Sequence, residues 1–136
     1  MDKTYVLDAS AVLRFVEDAD GADRIERLFK DAARGTSLLS ISVVNWGEVF
    51  YHEWQVCGEQ TARSTTAKLA RLPLELVPVD LDQALKAAEL KAVHKIPFVD
   101  CIAAALALRQ QATLVTSDHD FEKLGRHFPV LWIGRS

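Results

Sequence analysis

Four acidic side chains of this 136-residue chain stand in apolar company. Asp8 closes the run Tyr5-Val6-Leu7, and Glu48 sits inside Val43-Val44-Asn45-Trp46-Gly47-Glu48-Val49-Phe50. Asp100 precedes Cys101-Ile102-Ala103-Ala104-Ala105-Leu106, and Asp118 follows Leu114-Val115-Thr116-Ser117. A carboxylate placed among apolar residues loses hydration, and a folded chain tolerates the loss only when something offsets it. Gathered in one place, four such groups cannot all stay ionised. Each pair at ~4 Å costs on the order of 4 kcal/mol at an effective dielectric of about 20. Either some take up protons or a divalent cation binds. Oxygen donors without His or Cys favour Mg²⁺ or Mn²⁺ over Zn²⁺, and Mg²⁺ commonly keeps positions open for phosphate oxygens. The matching reaction is metal-assisted hydrolysis of a phosphodiester.

The elements around these acids decide whether they meet. Thr4–Leu7, Leu38–Ile41, Leu76–Val79, Thr113–Thr116 and Val130–Ile133 are short, rich in β-branched residues and unalternating, as in parallel strands buried on both faces. Between them, Ala22–Ala33, Val43–Gly58, Glu59–Leu72, Asp82–His94 and Val99–Gln110 carry helical spacing. The alternation predicts an α/β fold with a doubly covered parallel sheet. Ligands of such sheets bind at the carboxyl ends of the strands, where Asp8 and Asp118 both fall. Asp100 lies in the first turn of its helix, where the macrodipole favours an anion. Glu48 shares a helix face with Val44, Tyr51 and Gln55, while Val43, Trp46, Phe50, Trp54 and Cys57 form a second stripe expected to pack elsewhere.

Bulk composition is permissive. The length and 49% hydrophobic content suit one domain spanning 1–136, with no repeat or linker inside it. The formal charge is −3, but without the four embedded carboxylates the remainder carries +1, so a cation in the site leaves a surface that does not repel phosphate. Cys57 and Cys101 lack the spacing of a zinc site or redox pair and read as buried thiols, which points to a reducing cytoplasm. No signal-peptide pattern opens the sequence, and its longest uncharged run, Gly35 to Gly47, is too short for a bilayer.

Leu7-Asp8-Ala9-Ser10-Ala11, Glu48 in the helix after Ser42, Pro97-Phe98-Val99-Asp100-Cys101-Ile102-Ala103-Ala104-Ala105, and Leu114-Val115-Thr116-Ser117-Asp118-His119-Asp120-Phe121 resemble the successive motifs of PIN-domain ribonucleases. The order and length resemble a VapC-type toxin of a toxin–antitoxin pair, and the likeness covers essentially the whole chain. It implies a PIN-like α/β/α sandwich around a central parallel sheet of four to five strands. It also implies Mg²⁺- or Mn²⁺-dependent endoribonuclease activity, and a small VapB-like antitoxin that occludes the site. A homodimer is expected. By position, Asp8, Glu48, Asp100 and Asp118 are the acidic quartet, and Ser10 and Thr116 match hydroxyl positions that hydrogen-bond the acids or a water on the metal. Asn45-Trp46-Gly47 departs from the small or aliphatic residues expected before Glu48.

The expected reaction is in-line attack on an RNA phosphodiester by a water on a cation held by Asp8, Asp100 and Asp118. Glu48 binds a second cation or orients the water, and no covalent intermediate forms. Each residue also has a simpler role. Asp8, Ser10, Asp100 and Asp120 are all suited to capping helices, so Asp120 is placed in a secondary shell with Ser10 and Thr116. Arg14, Lys95 and His119 flank the motifs and are candidate RNA-phosphate contacts, although single basic residues are usually solvated surface. Trp46, Phe50 and Trp54 read as core; an exposed part of the stripe marks an interface with a second copy or an antitoxin helix.

Two other acidic pockets at parallel-sheet edges match less well. A receiver domain wants paired N-terminal acids and a Lys beside the late strand, where this chain has Thr116-Ser117-Asp118, and an Asp-x-Asp phosphatase fails because position 10 is Ser. A housekeeping PIN-type RNA-processing nuclease and a non-enzymatic RNA- or protein-binding module are the remaining alternatives. The binding module predicts no metal-stimulated cleavage and leaves the clustered acids unexplained.

Overall fold

The computed structural model describes residues 3–134. Five strands, β1 (Lys3–Leu7), β2 (Ser37–Ser42), β3 (Glu75–Val77), β4 (Thr113–Thr116) and β5 (Val130–Trp132), form one sheet in the order β3-β2-β1-β4-β5. Every neighbouring pair is parallel, with Leu7 level with Val115 and Thr116 level with Trp132. β3 stops at Val77 rather than running to Val79, consistent with Pro78, which has no N–H to give to the ladder.

Strand residues alternate between two apolar layers. Val6 and Leu114 enter one with Ala87 of α5 (Leu81–His94) and most of α6 (Phe98–Gln110). Leu7 and Val115 enter the other with residues of α1 (Ala9–Val16), α2 (Ala22–Ala33), α3 (Val43–Cys57) and α4 (Glu59–Leu69). Burial on both faces is why these strands read as unbroken apolar runs. The result is the expected α/β/α sandwich with five strands. Among the described residues no helix is long and apolar enough to cross a membrane.

The connections create one special place. The chain steps outward from β1 through β2 to β3, then crosses back to lay β4 on the other side of β1. The strand order therefore reverses between β1 and β4, and open parallel sheets form their ligand crevice at the carboxyl ends of such a pair. Asp8 and Asp118 lie there.

Helix α3 departs from the expected packing. Its buried residues are Asn45, Val49 and Glu53, a face holding two polar side chains, rather than the aromatic stripe. Trp46 packs partly buried against the second core layer, whereas Trp54 is 41% exposed and meets Phe50 edge to face at 5.7 Å. Arg63 of α4 covers both rings, at 5.5 Å from Phe50 and 5.8 Å from Trp54. Cys57, expected inside, is exposed as the last residue of α3, just before the Gly58 cap; Cys101 is buried as expected.

Candidate active site

Asp8 follows β1 with an extended backbone and caps α1, its Oδ1 accepting from the Ala11 amide at 3.0 Å. The cap of α1 is therefore Asp8 and not Ser10. The extended φ and ψ of a strand end are those an N-cap residue needs, so the strand delivers Asp8 directly into that role. Ser10, freed from capping, gives its hydroxyl proton to Asp8 Oδ1 at 2.7 Å. Thr116, the last residue of β4, gives its own to Asp8 Oδ2 at 2.5 Å.

Both hydroxyls are in turn held by backbone amides from the segment after β4. Ser117 N donates to Ser10 Oγ at 3.0 Å, and Asp118 N to Thr116 Oγ1 at 2.9 Å. Each hydroxyl thus takes one N–H and passes one O–H to a separate oxygen of Asp8. With both protons spent on Asp8, the 3.1 Å approach of Ser10 Oγ to Thr116 Oγ1 is a consequence of this arrangement, not a third bond.

Asp118 caps the 3₁₀ turn His119–Leu124, its Oδ1 accepting from Asp120 N at 2.9 Å, so Asp118 takes the capping role expected for Asp120. Asp100 lies in the first turn of α6 as expected, but Pro97 holds the N-cap position there. Asp100 is 8% exposed and its Oδ2 is buried without a hydrogen-bond partner.

The structure brings the four acids to one cleft of about 200 Å³, lined by Asp8, Glu48, Asp100 and Asp118 with Ser10, Tyr51 and His52 among the other walls. Carboxylate oxygens of Asp100, Asp118 and Asp120 lie within 4.8 Å of one another. Asp120 joins this group because the tight 3₁₀ turn after Asp118 keeps both side chains at the same edge. Tyr51 and His52 were not singled out as site residues by the sequence. Tyr51 shares the helical face of Glu48 and was legible from that spacing; nothing in the pattern marked His52.

The electrostatics match crowded acids. Burial pushes the Asp8 carboxyl from 3.8 up to about 6, against hydrogen bonds from Thr116, Ser10 and Ala11 that pull it down. Burial first, then the charge of Asp118 and a hydrogen bond shared with its carboxyl, push Asp100 from 3.8 to about 8, with Asp8 and Glu48 adding to the effect. Glu48 is also raised, by burial and by Asp118, while Asn45 opposes the shift. Strongly raised carboxyls facing one another in a cleft mark a place built for positive charge. The donor set is all oxygen, and the partnerless Asp100 Oδ2 has the character of a ligand atom, so the residues present fit a hard divalent cation.

The basic candidates are placed less uniformly. Arg14 is half-buried and donates to the Asp20 carbonyl at 3.0 Å in the connection between α1 and α2. Lys95 is exposed, in a left-handed conformation at the end of α5. His119 is exposed next to Asp118, 3.0 Å from Glu122 and stacked on Trp132 at 4.9 Å.

The fold is shared with solved toxin–antitoxin proteins. VapBC2 from Rickettsia felis, bound to a DNA fragment from its promoter, has a chain 19% identical, with a TM-score of 0.73 over 96% of this chain and 99% of that one. A chain of the DNA-bound VapBC from Salmonella typhimurium is 17% identical, with a TM-score of 0.74 over 96% and 98%. VapC20 of Mycobacterium tuberculosis, described as a Sarcin-Ricin loop cleaving toxin, is 18% identical, with a TM-score of 0.70 over 89% and 95%. At these identities the likeness is one of fold. No curated protein sequence matches the chain. The sequence profile of the PIN domain does match, over residues 5–127, a span that contains all four acids and the strands and helices that position them, and the chain belongs to the PIN-domain family.

Proposed function

We propose that this protein is a divalent-metal-dependent endoribonuclease acting as the toxin of a toxin–antitoxin pair. The observation that carries the reading is the convergence of Asp8, Glu48, Asp100 and Asp118 on one cleft at the β1–β4 switch point. Asp8, Asp100, Asp118 and Glu48 are the residues that would hold a Mg²⁺ or Mn²⁺ ion, with Asp120 adding a carboxylate beside Asp100 and Asp118. Such an ion supplies Lewis acidity toward a phosphate oxygen and makes a coordinated water more acidic.

The chain's own residues supply the rest. Ser10, Thr116 and the Ala11 amide fix Asp8 in a single orientation at the wall of the cleft and leave one acceptor site on Oδ2. Glu48 reaches the same cleft from α3 as a carboxylate ligand, and its raised proton affinity also suits it to orient the attacking water. Lys95 and His119 are exposed positions for RNA phosphates, and Arg14 holds the neighbouring connection. Solved proteins of the same fold include VapBC complexes and a toxin described as Sarcin-Ricin loop cleaving, which supports assigning this chain a VapB-like antitoxin and an RNA substrate. The exposed Trp54, with Phe50 and Arg63, gives α3 and α4 an aromatic surface for the antitoxin or a second copy.

Expression of the chain alone in a bacterial host tests the reading. The wild type should arrest growth with fragmented RNA, and Asp8→Asn should do neither. Unimpaired growth and intact RNA with the wild type would remove the toxin assignment.

A further inference from the structure

Asn45 is buried, 1% exposed, on the face of α3 that enters the protein interior. Its Nδ2 donates twice: to Glu48 Oε1 at 2.8 Å, one turn along the same helix, and to the Val99 carbonyl at 3.2 Å, in the first turn of α6. Val99 immediately precedes Asp100. Both partners accept only, so the amide nitrogen, and not its oxygen, must face them. The amide oxygen is buried with no partner. A half-satisfied amide is a poor way to fill a core position, since an orphaned buried acceptor is destabilising and an aliphatic side chain carries no such cost. Asn45 is worth that cost only for what its two donated bonds do.

Those bonds tie the Glu48 carboxylate of α3 to the backbone of α6 at the residue before Asp100. Glu48 is the one acid of the cleft that comes from the middle of a helix rather than from a strand end or a helix start. Its side chain has freedom that Asp8, fixed by two hydroxyls and an amide, does not have. We propose that Asn45 is a positioning residue that clamps Glu48 to the first turn of α6 and so sets the Glu48–Asp100 spacing that a divalent cation requires. The role rests on the metal-dependent reading of the cleft. It concerns a residue that touches neither substrate nor cation. Orientation of ligating carboxylates by such outer hydrogen bonds typically changes metal affinity by about 10–100-fold.

The test is Mn²⁺ binding followed by electron paramagnetic resonance, with thermal melting of the metal-free protein alongside. Asn45→Leu keeps the branched outline and removes the donors; Asn45→Ser serves as a second variant should the first not fold. The expected result is about a tenfold or greater weakening of Mn²⁺ binding in Asn45→Leu, and little further loss when the same change is made in a Glu48→Gln background. Undiminished affinity in the single variant, or an equal loss in both backgrounds, overturns the clamp while leaving the metal site standing. A wild-type protein that binds no Mn²⁺ overturns both.

Discussion

Thr116 gives its hydroxyl proton to Asp8 Oδ2 at 2.5 Å across the junction of β1 and β4, and takes the Asp118 amide proton at 2.9 Å. One side chain therefore couples the acid after β1 to the segment carrying the acid after β4. Thr116→Val keeps the shape and deletes this link. Losing a donor that lowers the Asp8 carboxyl leaves it still further above 3.8. The pH at which Mn²⁺ binding is half-maximal should then move upward, with affinity near neutrality falling about tenfold. Titrations of Mn²⁺ between about pH 6 and 8 check this; an unmoved midpoint contradicts it.

Ser10→Ala should act on stability as well as on the site. The hydroxyl accepts from Ser117 N and donates to buried Asp8, so its removal strands a backbone donor and leaves Asp8 Oδ1 with the Ala11 amide alone. A loss of about 1–3 kcal/mol is expected, measured by urea denaturation of the metal-free protein. A variant as stable as the wild type would show that water replaces both bonds.

The acids also set a pH dependence of folding. The folded carboxyls of Asp8 and Asp100 hold protons up to about 6 and about 8, whereas in the unfolded chain they release them near 3.8. Between those values the folded state binds more protons than the unfolded state, so the stability these groups contribute is full below 3.8 and is lost as pH rises through about 6 and then about 8. In the presence of a chelator, Tm should fall between about pH 5 and 8, and Asp100→Asn should flatten the upper part of that decline. A wild-type Tm that is level or rises over this interval contradicts the assignment.

Asp120 gives a separate prediction. Its carboxylate lies with those of Asp100 and Asp118 within 4.8 Å, while its amide, not its side chain, completes the turn cap. Asp120→Asn should weaken Mn²⁺ binding about tenfold or more and leave the metal-free Tm nearly unchanged. Isothermal titration separates this from a capping role, which would lower Tm and spare affinity.

The sheet and the convergence of the acids were legible because strand ends announce themselves. An apolar run that stops at an acid, as at Leu7-Asp8 and before Asp118, places that acid at the carboxyl edge whatever the surrounding helices do. Helix faces were less legible. The aromatic stripe of α3 has the stronger hydrophobic pattern, yet the helix buries Asn45, Val49 and Glu53, because Asn45 bridges to α6 and the stripe is partly covered by Arg63 from α4. Both are tertiary contacts that periodicity does not encode. Capping was legible at Asp8 but misplaced at Ser10, Asp100 and Asp120: several residues in each motif can cap, and only backbone geometry selects Asp8, Pro97 and Asp118. The departure from the family pattern at Asn45 coincides with the residue that holds Glu48.

Cleavage of RNA by the purified protein, with Mn²⁺ or with a chelator, and with Asp100→Asn as the paired variant, tests the central claim most directly. Cleavage by the wild type in Mn²⁺, abolished by the chelator and by Asp100→Asn in a chain that remains folded by circular dichroism, is the predicted result. Cleavage indifferent to the chelator, or undiminished in the folded variant, would contradict it.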